Sequence, residues 1–302
     1  MGFAVHEYNT PENYVRDPAL FWRLRPNHVI VPSKSAPESS ARGIHVNSRG
    51  LRGAETASFP APGVVRLACL GDSHTFGWGV EDDQAFPTLL DAGLAGDGVP
   101  VECVNAGAPG YSSRQVGIML ERVVLPDLHP QVVLLAFGHN DVTPVLFSDD
   151  ARSLAIAEGR RAAPPRFAYT RTGLEALLRL IARDVFSESP RVSEAGTRAN
   201  LNAMIDACRR AGIEILVAPT AHNAIQRAVG RARGVPVQDL FPRDYREPDA
   251  KLVQADGVHP TPLGQQRIAA RLRAWRDLRE ALNRARASAK RPVPGRASSE
   301  SF

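Results

Sequence analysis

Apolar positions change rhythm at Val64. Before it, short apolar runs are broken by polar and turn-forming residues. FWRLRPNHVIV predicts one short strand, PSKSAPESSARG a loop and HVNSRGLRG a turn-rich return. From Val64 onward the runs become regular. VVRLACL and VPVECVNAG read as strands, and the β-branched PQVVLLAFG is the clearest buried one. IEILVAP supplies a fourth strand and VPVQDL a shorter fifth. Between them FPTLLDAGLAG has helical spacing, a helix runs from Ser113 to about Leu125, and NLNAMIDACRRAG is an amphipathic helix closed by glycine. A single Arg-rich helix is predicted from Pro262 to Ala287, with the proline suited to its first turn.

Strands that alternate with helices imply a parallel sheet covered on both faces, and right-handed crossovers make a doubly wound sandwich the economical topology. The expected organisation is an N-terminal extension, 1–60, packing on one α/β domain, 61–287, followed by a flexible basic tail, 288–302. Residues 142–197 interrupt the rhythm after the third strand. An insertion there reads as a lid or substrate-contacting wall, or as a passive surface excursion.

Composition adds bounds. The chain has 302 residues, 43% of them hydrophobic, enough for a sizeable core. Three cysteines are too few for a disulfide framework, and Cys69 and Cys103 lie in apolar runs as expected for buried thiols. No apolar stretch reaches membrane-spanning length. The N-terminus lacks a basic-then-apolar leader, so the expected location is cytoplasmic. Net charge is +5, with the basic excess gathered between Arg267 and Arg296. That stretch could meet an anionic partner, but it also reads as a solvated helix face, and no aromatic residues are interleaved to stack bases. No nucleic-acid partner and no cofactor are expected.

Chemistry gathers where strands end. GDS follows the first sheet strand, NAGAPG the second and GHND the third. In an open parallel sheet this shared carboxyl edge is where ligands bind. Ser73 there is a helix cap or a nucleophile, and a nucleophile needs a base. His259 in DGVHPTPLG is the candidate base, with Asp256 three residues before it as its orienting acid; the same residues also suit a plain turn. An oxyanion would find donors in the Ser73 N–H, the Gly107 N–H and the Asn140 amide. Alternatively, Gly107 serves a tight turn and Asn140 braces loops. His74, His139, Asp141, Asp256 and His259 could instead crowd a metal, but no pair spaced like HxxxH fixes two ligands on one helical face, and no metal is expected.

In this order GDSHTFG, NAGAPG, FGHND and DGVH resemble the four blocks of the SGNH hydrolases, also called GDSL-type esterases and lipases. The resemblance covers roughly Val64 to Ala287. It implies a flavodoxin-like, three-layer α/β/α fold with a parallel sheet of about five strands. It further implies Ser73 as nucleophile, His259 as base, Asp256 as its partner and the three-donor oxyanion hole. One position departs: His74 stands where the family name has Leu. The expected activity is hydrolysis of a small-molecule or carbohydrate ester, with a short acyl group such as acetate, through an acyl-enzyme. Asp72, His74, His139 and Asp141 are expected to line the substrate. An O-acyltransferase would use the same residues, and a catalytically idle binding module is the reading from another class.

Overall fold

The computed structural model describes residues 12–31, 43–145, 148–150, 153, 189–220, 224–240 and 251–289. The chain opens with two antiparallel pairs. Strands β1 (Tyr14–Asp17) and β2 (Phe21–Leu24) form one, and β3 (His28–Ile30) and β4 (Ile44–Val46) the other. FWRLRPNHVIV is therefore two strands, not one. Pro26 follows β2, and Asn27 turns the chain with φ at +53°, a conformation Asn tolerates better than most residues.

The sheet begins at β5 (Val65–Gly71), followed by the short helix α1 (Ser73–Phe76) and helix α2 (Phe86–Gly96). Strand β6 (Val101–Gly107) leads to α3 (Ser113–Met119), and a π-helical stretch, Leu120–Leu128, returns to β7 (Val132–Ala136). The helix expected from Ser113 thus changes its winding part-way. Pro126 lies inside that stretch, where it cannot donate the usual hydrogen bond. Two residues each of β8 (Pro144–Val145) and β9 (Ser189–Pro190) pair antiparallel. Helix α4 (Glu194–Arg210) then precedes β10 (Glu214–Val217) and α5 (Ala224–Arg233). Most of the expected insertion, and the choice between lid and passive excursion, lies outside the described residues.

All four sheet strands are parallel, in the order β10-β7-β5-β6. VPVQDL adds only a parallel bridge, Val237 beside Val217, so the expected fifth strand is reduced to its point of contact. With that bridge the order matches the flavodoxin-like arrangement. Every residue of β5 and β7 is buried, as a parallel sheet covered on both faces requires. Alternation assigns the faces. Ala68, Leu70, Val133 and Leu135 pack toward α3 and α4 together with Trp22 and Ile44 of the N-terminal pairs. Leu67, Cys69, Leu134 and Ala136 pack toward α2 and the C-terminal helices.

Those C-terminal helices are two, α6 (Pro262–Arg273) and α7 (Arg276–Ala289), where one was expected. The break falls at Ala274 and Trp275. Trp275 is buried in the core of that layer with Leu272 and Leu278, and its indole N–H donates to Asp277 at 2.8 Å. One straight helix would carry Leu278, Ala281 and Leu282 off the sheet; the bend keeps them buried. The expected tail lies outside the described residues from 290 onward.

One buried cation ties the N-terminal part to the sheet edge. Arg52 donates to the carbonyls of Phe76, the last residue of α1, and of Gly77 and Val80 beyond it, and pairs with Asp82. Its guanidinium also lies 5.0 Å from the centre of the Phe76 ring. Arg52→Met keeps the apolar stem and takes the guanidinium from those carbonyls; Phe76 keeps the Asn105 amide at 3.2 Å, but the Val80 carbonyl loses its donor. A buried polar group left unsatisfied costs about 1–3 kcal/mol. Urea unfolding should show the variant destabilised by at least that amount; stability equal to wild type would contradict this role.

Candidate active site

Strand β5 ends in Gly71, and a side chain there would have no room: an added Cβ would lie 1.9 Å from the Ala136 carbonyl oxygen of β7. The next residue, Asp72, caps α1 by accepting from the His74 N–H at 3.0 Å. Gly77 closes the same turn in the left-handed conformation, φ +82°. Ser73 is therefore the first residue of a helix set at the carboxyl edge of the sheet.

The segment 251–261 approaches from the other end of the chain. It folds back on itself through a bridge between Val253 and Pro260, with Gly257 turning at φ +72°. The Gln254 side-chain amide donates to the Trp78 carbonyl at 2.7 Å and to the Pro260 carbonyl at 2.8 Å, which docks the loop beside α1. His259 arrives with Nε2 2.9 Å from Ser73 Oγ. Its Nδ1 lies 2.6 Å from Asp256 Oδ2, while the other carboxylate oxygen accepts the N–H groups of Val258 and His259 at 2.9 Å each. Burial alone would raise the Asp256 pKa, but the hydrogen bond and charge of His259, with those two amides, outweigh it and hold the carboxyl at about 2.

Three of the four proposed substrate-lining residues are buried braces. Asp72 and His74 are wholly enclosed. Asp141 accepts from the Ser113 N–H at 2.7 Å and from Thr197 Oγ1 at 2.6 Å, and burial raises its pKa despite those bonds. Their polar atoms are engaged within the protein, so the expectation that they face substrate is corrected. His139 is half-buried, with its ring 6.3 Å from that of His74.

Gly107 also differs from expectation. Its N–H donates to Asn105 Oδ1 at 3.0 Å. An added Cβ there would meet the Phe76 nitrogen at 2.3 Å, so close packing of β6 against α1 explains the glycine. The amide better suited to an oxyanion is three residues on. Ala108 to Tyr111 form a type II turn, with the Tyr111 N–H on the Ala108 carbonyl at 3.3 Å, Pro109 at the second position and Gly110 at φ +76°. Among the described residues neither the Gly110 nor the Ser73 N–H has an acceptor. Asn140 donates to the Tyr111 carbonyl at 3.0 Å, so it stands against this turn with its second amide hydrogen left over. The Pro-Gly pair was the sequence signal for Gly110.

A buried pair braces the same turn. Arg191 donates to the Gly110 carbonyl, to Gln115 Oε1 and, at 2.8 Å, to Asp149 Oδ1. Asp149 in turn accepts from Ser112 Oγ. No sequence signal marked this pair, whose members are 42 residues apart.

Among the described residues no group of three or more His, Cys, Asp or Glu is placed to hold a metal ion. Cys69 and Cys208 are buried free thiols, the latter pushed up to about 12 by burial. No described helix is long and apolar enough to cross a membrane.

The profile of the GDSL-like Lipase/Acylhydrolase family matches residues 69–267. The chain belongs to this family. The matched span contains all the motif blocks at the sheet edge, and the chain is accordingly a hydrolase of carboxylic esters. Similar solved structures include the lipase/acylhydrolase from Enterococcus faecalis, 22% identical, with 73% of this chain and 96% of that one covered at a TM-score of 0.47. The psychrotrophic esterase EstA from Pseudoalteromonas sp. is 14% identical, with 72% and 98% covered and a TM-score of 0.48. No curated protein matches the chain.

The depressed pKa of Asp256 has a measurable sign. A carboxyl held below its usual range contributes stability above that range, and the contribution is lost as pH falls through its folded-state value. In this GDSL-family hydrolase the stability lost in Asp256→Asn should be full near neutral pH and shrink from about pH 4 towards about pH 2. Urea titrations of both proteins across that window check it. A gap independent of pH would contradict the pairing.

Proposed function

We propose that the enzyme hydrolyses a short-chain carboxylic ester through an acyl-enzyme, with Ser73 as nucleophile, His259 as base and Asp256 as its orienting acid. The observation that carries this reading is the unbroken line of contacts from Ser73 Oγ to His259 Nε2 and from His259 Nδ1 to Asp256 Oδ2. Ser73 Oγ bonds to the ester carbonyl carbon as its proton passes to His259 Nε2. Asp256 stabilises the imidazolium that results and holds its tautomer. The tetrahedral oxygen is met by the N–H groups of Ser73 and Gly110 and by the Asn140 side chain, all neutral donors. His259 then gives the proton to the departing alcohol. Water repeats the sequence, with its proton going to His259, and releases the acid and free Ser73.

A small acyl group suits the partly exposed polar side chains of His139 and Asn140 beside the triad, and a small-molecule or carbohydrate alcohol is the matching leaving group. The test is a panel of nitrophenyl esters of increasing chain length, each with and without added acceptor alcohols. The expected result is highest kcat/KM for the acetyl ester and water as acceptor. Acyl groups delivered mainly to the added alcohol would make the enzyme an acyltransferase, and no turnover of any ester would overturn the reading. In the same assay Asn140→Ala should lose on the order of 10²-fold in kcat with KM little changed, because its donor serves the transition state. A raised KM with normal kcat would instead make Asn140 a substrate clamp.

A further inference from the structure

His74 has no part in the proton transfers above, yet it is buried completely between the two halves of the site. Its Nδ1 lies 3.2 Å from Asp72 Oδ1 and its Nε2 lies 3.1 Å from the Val258 carbonyl oxygen. That carbonyl belongs to the peptide unit joining Val258 to His259. The N–H of the same unit donates to Asp256 Oδ1 at 2.9 Å. The peptide from which the His259 side chain departs is thus held at one end by Asp256 and at the other by His74. The His74 and His259 rings are 5.7 Å apart and make no hydrogen bond with each other.

We propose, on the reading of the site given above, that His74 is a positioning residue: it pins the Val258 carbonyl and so sets the distance from the His259 imidazole to Ser73. The chain of contacts runs from the helix that carries the nucleophile to the loop that carries the base. Asp72 anchors it, because it caps that helix through the His74 N–H and also accepts from the Gly138 N–H at 3.3 Å. The Val258 carbonyl oxygen only accepts, so the His74 Nε2 facing it carries a hydrogen, while Nδ1 faces the buried Asp72 carboxylate. A leucine at this position would fill the space and leave the Val258 carbonyl without this donor.

Three variants of the full chain separate positioning from packing. In Gln the amide nitrogen sits where His Nε2 sits and reaches the Val258 carbonyl; in Asn it sits where Nδ1 sits and serves Asp72 alone. Each variant is checked for folding by its thermal melt, then for kcat and KM on the best ester of the panel and for the rate at which a fluorophosphonate labels Ser73. Displacement of a catalytic group by about 1 Å can cost about 10²-fold. His74→Leu should therefore lose roughly 10- to 100-fold in kcat, with KM within about twofold and labelling slowed in parallel. His74→Gln should recover most of that loss and His74→Asn should not. Wild-type kcat in His74→Leu would overturn the proposal, as would His74→Gln no faster than His74→Asn. If the leucine variant does not fold, the Gln and Asn pair decides the matter alone. Wild-type enzyme that is not labelled at Ser73 would instead overturn the site reading on which the proposal rests.

Discussion

A single carboxylate with no exposure to solvent, Asp72, joins the parts of this protein that chemistry requires to meet. It is the residue after β5, so the sheet places it. It caps the helix that begins at Ser73, it receives the Gly138 N–H from the turn after β7, and through His74 it reaches the loop that carries His259. Burying such a charge is unfavourable unless hydrogen bonds and an opposite charge surround it. Here they do: burial would raise its pKa, but the charge of His74, the bonds from it and the charge of His139 bring it below the ordinary value. The carboxylate is ionised because the site around it is assembled, and the site is assembled around the carboxylate.

The same economy governs the rest of the sheet edge. Close approach of backbones leaves no space for side chains at Gly71 and Gly107, so β5, β6, β7 and α1 meet at van der Waals distance. Ser73 is held by that packing. The loop bearing His259 is docked by polar contacts, the Gln254 amide on the Trp78 and Pro260 carbonyls among them, and helix α6, which follows it, is tied to α1 and α2 by Gln265. Gln265, fully buried in α6, bonds the Phe86 N–H at 2.9 Å and the His74 carbonyl at 3.3 Å. On the reading proposed above, backbone packing places the nucleophile and hydrogen bonds place the base.

Much of the sheet was legible in the sequence because parallel strands buried on both faces read as unbroken apolar runs, as β5 and β7 do. What failed to show were features set by tertiary contact. The bend at Trp275 depends on a core the local pattern does not contain. The winding change after Met119 and the reduction of VPVQDL to one bridge are of the same kind. At the site, the close spacing of Asp256 and His259 was readable because both lie within one turn. The choice between Gly107 and Gly110 needed the fold: the Pro-Gly pair marks a turn at Gly110, but only the structure shows that Asn105 claims the Gly107 amide. His74, Gln254 and Arg191 act across long stretches of chain, and nothing in their neighbours announces it.

The central claim is that ester turnover passes through a covalent bond at Ser73. The direct measurement is rapid-quench mass spectrometry during the first turnovers of a short-chain ester, with the alcohol released followed in parallel. The account predicts a burst of alcohol stoichiometric with enzyme and an acyl group on the peptide that contains Ser73. Where deacylation outpaces acylation no burst appears, and quenching in acid traps the adduct for the same measurement. An acyl group found on another residue, or none found under conditions that trap it, would contradict the account.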